Sequence, residues 1–149
     1  MTVADVETDL LLGLAQLLAG VGAGTYRPNG GYLPTETAIV FGDLPTGPDR
    51  AIAMAVYAAS DEGASPLSSL RVQFLCRGAV NDSLDVGEVA GPIFTALQGL
   101  QHYNCGTAHV NLVQRVSRVP LGIDAAKRSM RADNYELSVD MPATAGRPG

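Results

Sequence analysis

The stretch Leu70–Leu100 (LRVQFLCRGAVNDSLDVGEVAGPIFTALQGL) changes its hydrophobic period partway along, and that change constrains the fold more than any other feature of the chain. Leu70, Val72, Phe74 and Cys76 alternate with Arg71, Gln73, Leu75 and Arg77. A period of two predicts a strand with one buried face. From Leu84 onward the spacing becomes three and four, and Val86, Val89, Ile93, Phe94, Leu97 and Leu100 form one stripe of an amphipathic helix. Between them Gly78–Ser83 supplies Gly, Asn, Asp and Ser, residues that bend a chain or cap a helix. Pro92 follows Gly91 inside the helical pattern, and the stripe stays in phase across it, which predicts one kinked helix.

The other segments are placed against this unit. Asp5–Ala19 reads as a first helix, with Val6, Leu10, Leu14, Leu17, Leu18 and Val21 on one face and acids near its N-terminus. Thr25–Pro34 reads as a connecting loop packed by Tyr26 and Tyr32, and Thr37–Phe41 as a short strand. Gly42–Arg50 (GDLPTGPDR) is a loop stiffened by two prolines. In the strand Arg50–Ala59, Ile52, Met54 and Val56 face one way and Ala51, Ala53 and Ala55 the other. An alanine row is not a water-facing pattern; either another element of the chain or another subunit lies over it. Ser60–Ser68 and Gln98–Thr107 read as loops, His109–Val116 as a strand, Ser117–Met130 as an irregular excursion, and Arg131–Met141 as a closing strand. The expected fold is one α+β domain over residues 1–141: a mostly antiparallel sheet of about five strands with two amphipathic helices packed on one face. Residues 142–149 carry no apolar pattern and are expected to form a flexible tail.

Composition removes several classes of function. At 149 residues the chain needs one core only, and 46% hydrophobic against 17% charged residues excludes a wholly disordered polymer. A net charge of -5 argues against a surface built to hold nucleic acid, which needs clustered cations. The longest apolar run, around Leu10–Val21, is too short and too interrupted to span a bilayer, and the acidic N-terminus lacks the basic character of a secretory leader. No membrane partner is expected, and the protein is expected in the cytoplasm where it is made. Cys76 and Cys105 are expected to be free thiols.

Chemistry is sparse. GVGAG (Gly20–Gly24) follows a helix, whereas a dinucleotide loop must follow a strand and open a helix. His102, Cys105 and His109 are spaced at three and four, but Asn104-Cys105-Gly106 breaks any helix that would converge them, and a polar turn is the preferred reading over a metal site. The chain has no Gly-x-Ser-x-Gly elbow and no Gly-Lys-Ser/Thr phosphate loop. Asp124 and Asp133 beside Arg128 and Arg131 suit salt bridges better than acid–base work. The residues therefore point to no catalytic, cofactor or metal site and to a protein that is not an enzyme.

Three segments carry a resemblance: AIVFGDLPTGPDRAIAMAVY (Ala38–Tyr57), VQFLCRGAVNDSLDVGEVAGPIFTALQGL (Val72–Leu100) and RVSRVPLGIDAAKRSMRADNYELSVDMP (Arg115–Pro142). Their Leu-Pro-x-x-Pro-Asp-Arg loop, Val-Gln-x-x-x-Arg-Gly followed by Asn-Asp, and Pro-Leu-Gly-x-Asp ahead of Arg-x-Asp-Asn-Tyr resemble the minor capsid, or tail terminator, proteins of phages with long non-contractile tails. Gly91-Pro92 and Ala125–Met130 depart from that pattern. The resemblance implies a structural virion protein, made in the host cytoplasm, whose subunits join in a hexameric ring at the end of the tail tube. Its partners would be its own copies, the tail tube protein, a head-completion or stopper protein of the neck, and the tape measure protein, with DNA passing through the lumen unbound. The alternatives are another head–tail connector (stopper or adaptor), or a small cytosolic ligand-binding domain or enzyme. The interface residues expected on this reading are Leu44, Pro45, Asp49 and Arg50 in the proline loop, Arg77 and Asp82 on the polar edge of the central unit, and Arg118, Leu121, Asp124 and Arg128 in the excursion.

Overall fold

The computed structural model describes residues 5–61 and 67–140; Met141, the 142–149 segment and most of the expected 60–68 loop lie outside them. Helix α1 (Val6–Gly20) starts at Asp5, whose carboxylate accepts from the Thr8 backbone N–H at 3.0 Å and from its hydroxyl at 2.8 Å, satisfying donors that the helix cannot. Strands β1 (Thr25–Tyr26), β2 (Ala38–Phe41), β3 (Ala51–Asp61) and β4 (Leu67–Val80) follow. Helix α2 (Asp85–Leu97) comes next, then β5 (Gln101–Cys105), β6 (Ala108–Ile123) and β7 (Arg128–Asp140). The seven strands among the described residues form one sheet in the order β1-β2-β3-β4-β7-β6-β5. The expectation of about five antiparallel strands is thus corrected to a mixed sheet of seven. β1, β2 and β3 run parallel, because the connections at 27–37 and 42–50 are long enough to return the chain to the same end.

Helix α1 touches β1 and β2 at one edge of the sheet and β5 at the other, so the sheet curls around it. Two close approaches make this possible. A Cβ on Gly13 would meet Cys105 Sγ at 2.6 Å, so glycine lets α1 lie against β5. Across the same seam Asp9 accepts from the Thr107 backbone N–H at 2.8 Å and from its hydroxyl at 2.7 Å. Helix α2 lies on β4 and β7 and buries Val89, Ala90, Ile93 and Leu97. Pro92 sits inside it, and the helix is a single element across that residue. The β4 face Leu70, Val72, Phe74 and Cys76, together with Tyr135, Leu137 and Val139 of β7, completes one continuous core. Phe74 and Tyr135 meet edge to face at 5.3 Å.

The elements the sequence missed are strands without clean alternation. Gln98–Thr107, expected to be a loop, contains β5. The expected excursion Ser117–Met130 is the outer half of a long β6–β7 hairpin closed by a turn at Asp124–Lys127. Asp124 Oδ1 accepts from the backbone N–H groups of Ala126 and Arg128, and Lys127 takes a φ of 62° there. Pro120 is tolerated because β5 pairs with β6 only as far as Leu112, leaving the outer half of β6 as an edge.

Candidate interaction surfaces

The ten expected interface residues separate into two groups once folded. Asp49, Arg50, Arg77, Asp124 and Arg128 converge on the proline loop and tie it down within the chain. Arg77 donates from Nε to the Asp49 carbonyl and from a terminal nitrogen to the Pro48 carbonyl, both at 2.8 Å. Arg128 donates to the Thr46 carbonyl at 2.8 Å, to Asp49 Oδ1 at 3.2 Å and to Asp124 Oδ2 at 2.8 Å. The loop is thereby clamped to β4 and β7 by two buried guanidiniums. Each guanidinium presents a rigid fork of donors that matches carbonyl and carboxylate oxygens.

Arg50, where β3 begins, forms a two-pronged pair with Asp85 at the start of α2, with Nε at 2.8 Å from Oδ2. Asp85 Oδ2 also accepts the Ala79 backbone N–H at 2.7 Å. One carboxylate thus joins the loop, the β4–α2 turn and the helix. Hydrogen bonding from Arg50 holds the Asp85 carboxyl below its ordinary value, and the same bond raises the Arg50 guanidinium. The Arg128 backbone N–H lowers the Asp124 carboxyl, while burial, followed by the nearby Arg128, lowers Arg77. Gly78 completes the junction, since a Cβ there would meet the Val86 backbone nitrogen at 2.6 Å. Ala51, opposite Arg77 in the ladder, and Ala53 are buried within the chain itself.

Leu44 and Pro45 are half-buried in the clamped loop, and Asp82 is an exposed turn residue whose Oδ1 accepts from the Leu84 backbone N–H at 3.2 Å. Arg118 and Leu121 are exposed on β6, far along the strand from its pairing with β5. They belong to a surface that the sequence reading touched without outlining. Val116, Val119, Leu121 and Ile123 all expose apolar side chains along the outer half of β6, and Ile123 is 63% exposed. Period-two spacing of Val119, Leu121 and Ile123 was the signal, disguised by the intervening Pro120 and Gly122.

Among the described residues no group of three or more His, Cys, Asp or Glu side chains converges to hold a metal, and both thiols are free and buried. Asp133, fully buried, is neutralised by the Arg131 guanidinium at 2.6 and 2.8 Å and lies 3.6 Å from Arg115, whose own guanidinium stacks over Phe94 at 4.2 Å. This is an ion-paired cluster centred on one buried carboxylate, its two guanidiniums partly exposed. Among the described residues no helix is long and apolar enough to cross a membrane.

A curled sheet with clamped loops and an exposed apolar strand edge has the character of a structural protein that works through contacts with other proteins. A family model described as "Bacteriophage tail terminator protein" matches residues 17–141, and the chain belongs to that family of phage tail structural proteins. No curated protein matches the chain.

Proposed function

We propose that the chain forms a ring, a hexamer on the family resemblance, that caps the tail tube, ends its polymerisation and joins the tail to a head-completion or stopper protein of the neck. The observation that carries this is the exposed apolar outer half of β6, on a chain whose loop charges are largely satisfied internally. A closed ring needs a heterologous interface, in which one patch of each subunit meets a different patch on the next. An apolar strand edge is suited to such a contact because its unpaired backbone groups can also take a partner. Leu121 and Arg118 are the expected interface residues that lie on this edge, with Leu44, Pro45 and Asp82 offered from the clamped loop and the turn. The net charge of -5 favours DNA passing through a lumen without being held. Contact with the tape measure protein would follow from a position at the tube end.

Deleting the gene and imaging the particles tests this reading. Overlong, headless tails are expected, and restoration of normal length by the wild-type chain. Tails of normal length lacking heads would instead favour the connector reading and overturn the capping role.

A further inference from the structure

The two histidines of the chain, expected to lie in a polar turn, face one another across the β5–β6 hairpin. His102 Nδ1 lies 3.5 Å from His109 Nε2, with the ring centroids 5.7 Å apart and the planes 31° apart. That separation exceeds the ~2.7–3.2 Å of a good nitrogen hydrogen bond. It is close to the spacing of two imidazoles on one tetrahedral ion, where metal–nitrogen distances of about 2.0–2.1 Å put the ligands roughly 3.3–3.4 Å apart. Asn104, directly opposite His109 in the ladder, holds its Oδ1 at 2.6 Å from His109 Nδ1. With Asn104 as acceptor, His109 carries its proton on Nδ1 and presents the bare Nε2 lone pair toward His102. This is the outer-shell arrangement that orients metal-bound imidazoles. His102 takes a backbone φ of 52°, in the left-handed region where His, like Asn and Asp, is enriched among non-glycine residues.

The geometry points to a two-imidazole chelate for a late first-row divalent cation, Zn(II) or Cu(II), with His102 Nδ1 and His109 Nε2 as ligands. Water completes the coordination, and Asn104 acts as a positioning residue. Imidazole suits these cations, and the hairpin supplies the bite without help from the buried Cys105. Strand β5 is the edge of the sheet and meets the core mainly through α1, so a cation here would pin the hairpin to itself. The site is independent of the ring proposal.

Titration of the untagged full chain with Zn(II) by calorimetry, and with Cu(II) by pulsed electron paramagnetic resonance, tests the assignment. Because the chain has two histidines only, a two-imidazole signal from one chain requires both. The expected result is one cation per monomer, a two-imidazole Cu(II) signal, and at least a tenfold weaker affinity in His109→Ala. His102→Asn, chosen to keep the positive φ, should weaken binding equally. Asn104→Ala should weaken it about tenfold, and Asn104→Asp, which retains the acceptor, should restore it. Circular dichroism of each variant separates lost binding from lost folding. Affinity unchanged in folded His109→Ala would mean adventitious binding to surface acids and overturn the site. A two-imidazole signal that disappears on dilution with a dimer would overturn the intrachain chelate.

Discussion

Removing the Asp85 carboxylate should cost far more than removing its partner guanidinium. Asp85→Ala leaves the Ala79 N–H without its acceptor, a penalty of about 1–3 kcal/mol for a partly buried donor. It also deletes the pair with Arg50, but that guanidinium side chain is 42% exposed and can rehydrate, so the pair itself contributes only ~1 kcal/mol. The sum is about 2–4 kcal/mol, or roughly 5–12 °C in Tm for a chain of this size. Arg50→Ala should cost ~1 kcal/mol, because truncating a half-exposed side chain opens a path for water to Asp85, which keeps its bond to Ala79. Urea unfolding of both single variants and the double variant measures each term and the coupling between them, and the double variant should cost little more than Asp85→Ala. The acid limb gives an independent check. The folded carboxyl is held below its ordinary value of 3.8, so its stabilisation is complete above that value and is lost as pH falls through the lower folded pKa. Stability should therefore fall less steeply on acidification in Asp85→Ala than in the wild type. An Arg50→Ala variant as unstable as Asp85→Ala would refute the reasoning, since Asp85 would then be a stranded charge that water does not reach.

Further outcomes follow from other contacts. Gly13→Ala gains about 1 kcal/mol of helix propensity but drives a methyl into Cys105, and the overpacking cost of about 1–3 kcal/mol should win, lowering the urea midpoint. Burial pushes the Cys105 thiol up to about 11 and the Cys76 thiol higher still, so a thiol reagent at pH 8 should find neither in the native protein and both after denaturation. A fast native reaction would show that the α1–β5 seam opens readily. Leu121→Asp with Ile123→Asp should shift monomer stability by no more than ~0.5 kcal/mol while abolishing self-association and tail joining, read by sedimentation and plaque formation. Asp133→Ala should cost about 3–5 kcal/mol, because it removes a fully buried carboxylate and leaves the Arg131 guanidinium, only 17% exposed, without its partner; a loss below ~1 kcal/mol in thermal unfolding would contradict that.

The proline loop shows why site residues were harder to read than elements. Arg50, Arg77 and Arg128 are far apart in sequence and look like solvated cations of a loop, a strand's polar edge and an irregular excursion, so nothing local revealed that they close on Thr46, Pro48, Asp49 and Asp85. Charge reversal at Arg50 and Arg128 would release the loop as well as alter a surface. A better probe of contacts is the β6 edge, where Val119, Leu121 and Ile123 are exposed and carry no part of the core.

By itself the sequence determined what depends on neighbours along the chain. The switch of period between Leu70–Arg77 and Leu84–Leu100 is present as β4 and α2, the N-terminal stripe as α1, and the buried faces of all three match the apolar positions closely. Val21 is an exception, exposed where α1 has already ended. Pairing was decided only in three dimensions. β2 and β3 are legible as strands but their parallel pairing is not, and β1, the edge strand β5 and the outer half of β6 have too few buried side chains, or too many turn residues, for periodicity to register them. β5 and the outer half of β6 pair within hairpins (Cys105 with Ala108, Ile123 with Ser129), and β1, β2 and β3 pair across longer connections. A one-dimensional pattern does not specify which of these partners satisfies each backbone group. The same separation holds for function: family membership is written in the order of motifs along the chain, whereas the clamp exists only after the sheet has assembled, and the apolar edge and the facing histidines only after β6 has paired with β7 and β5.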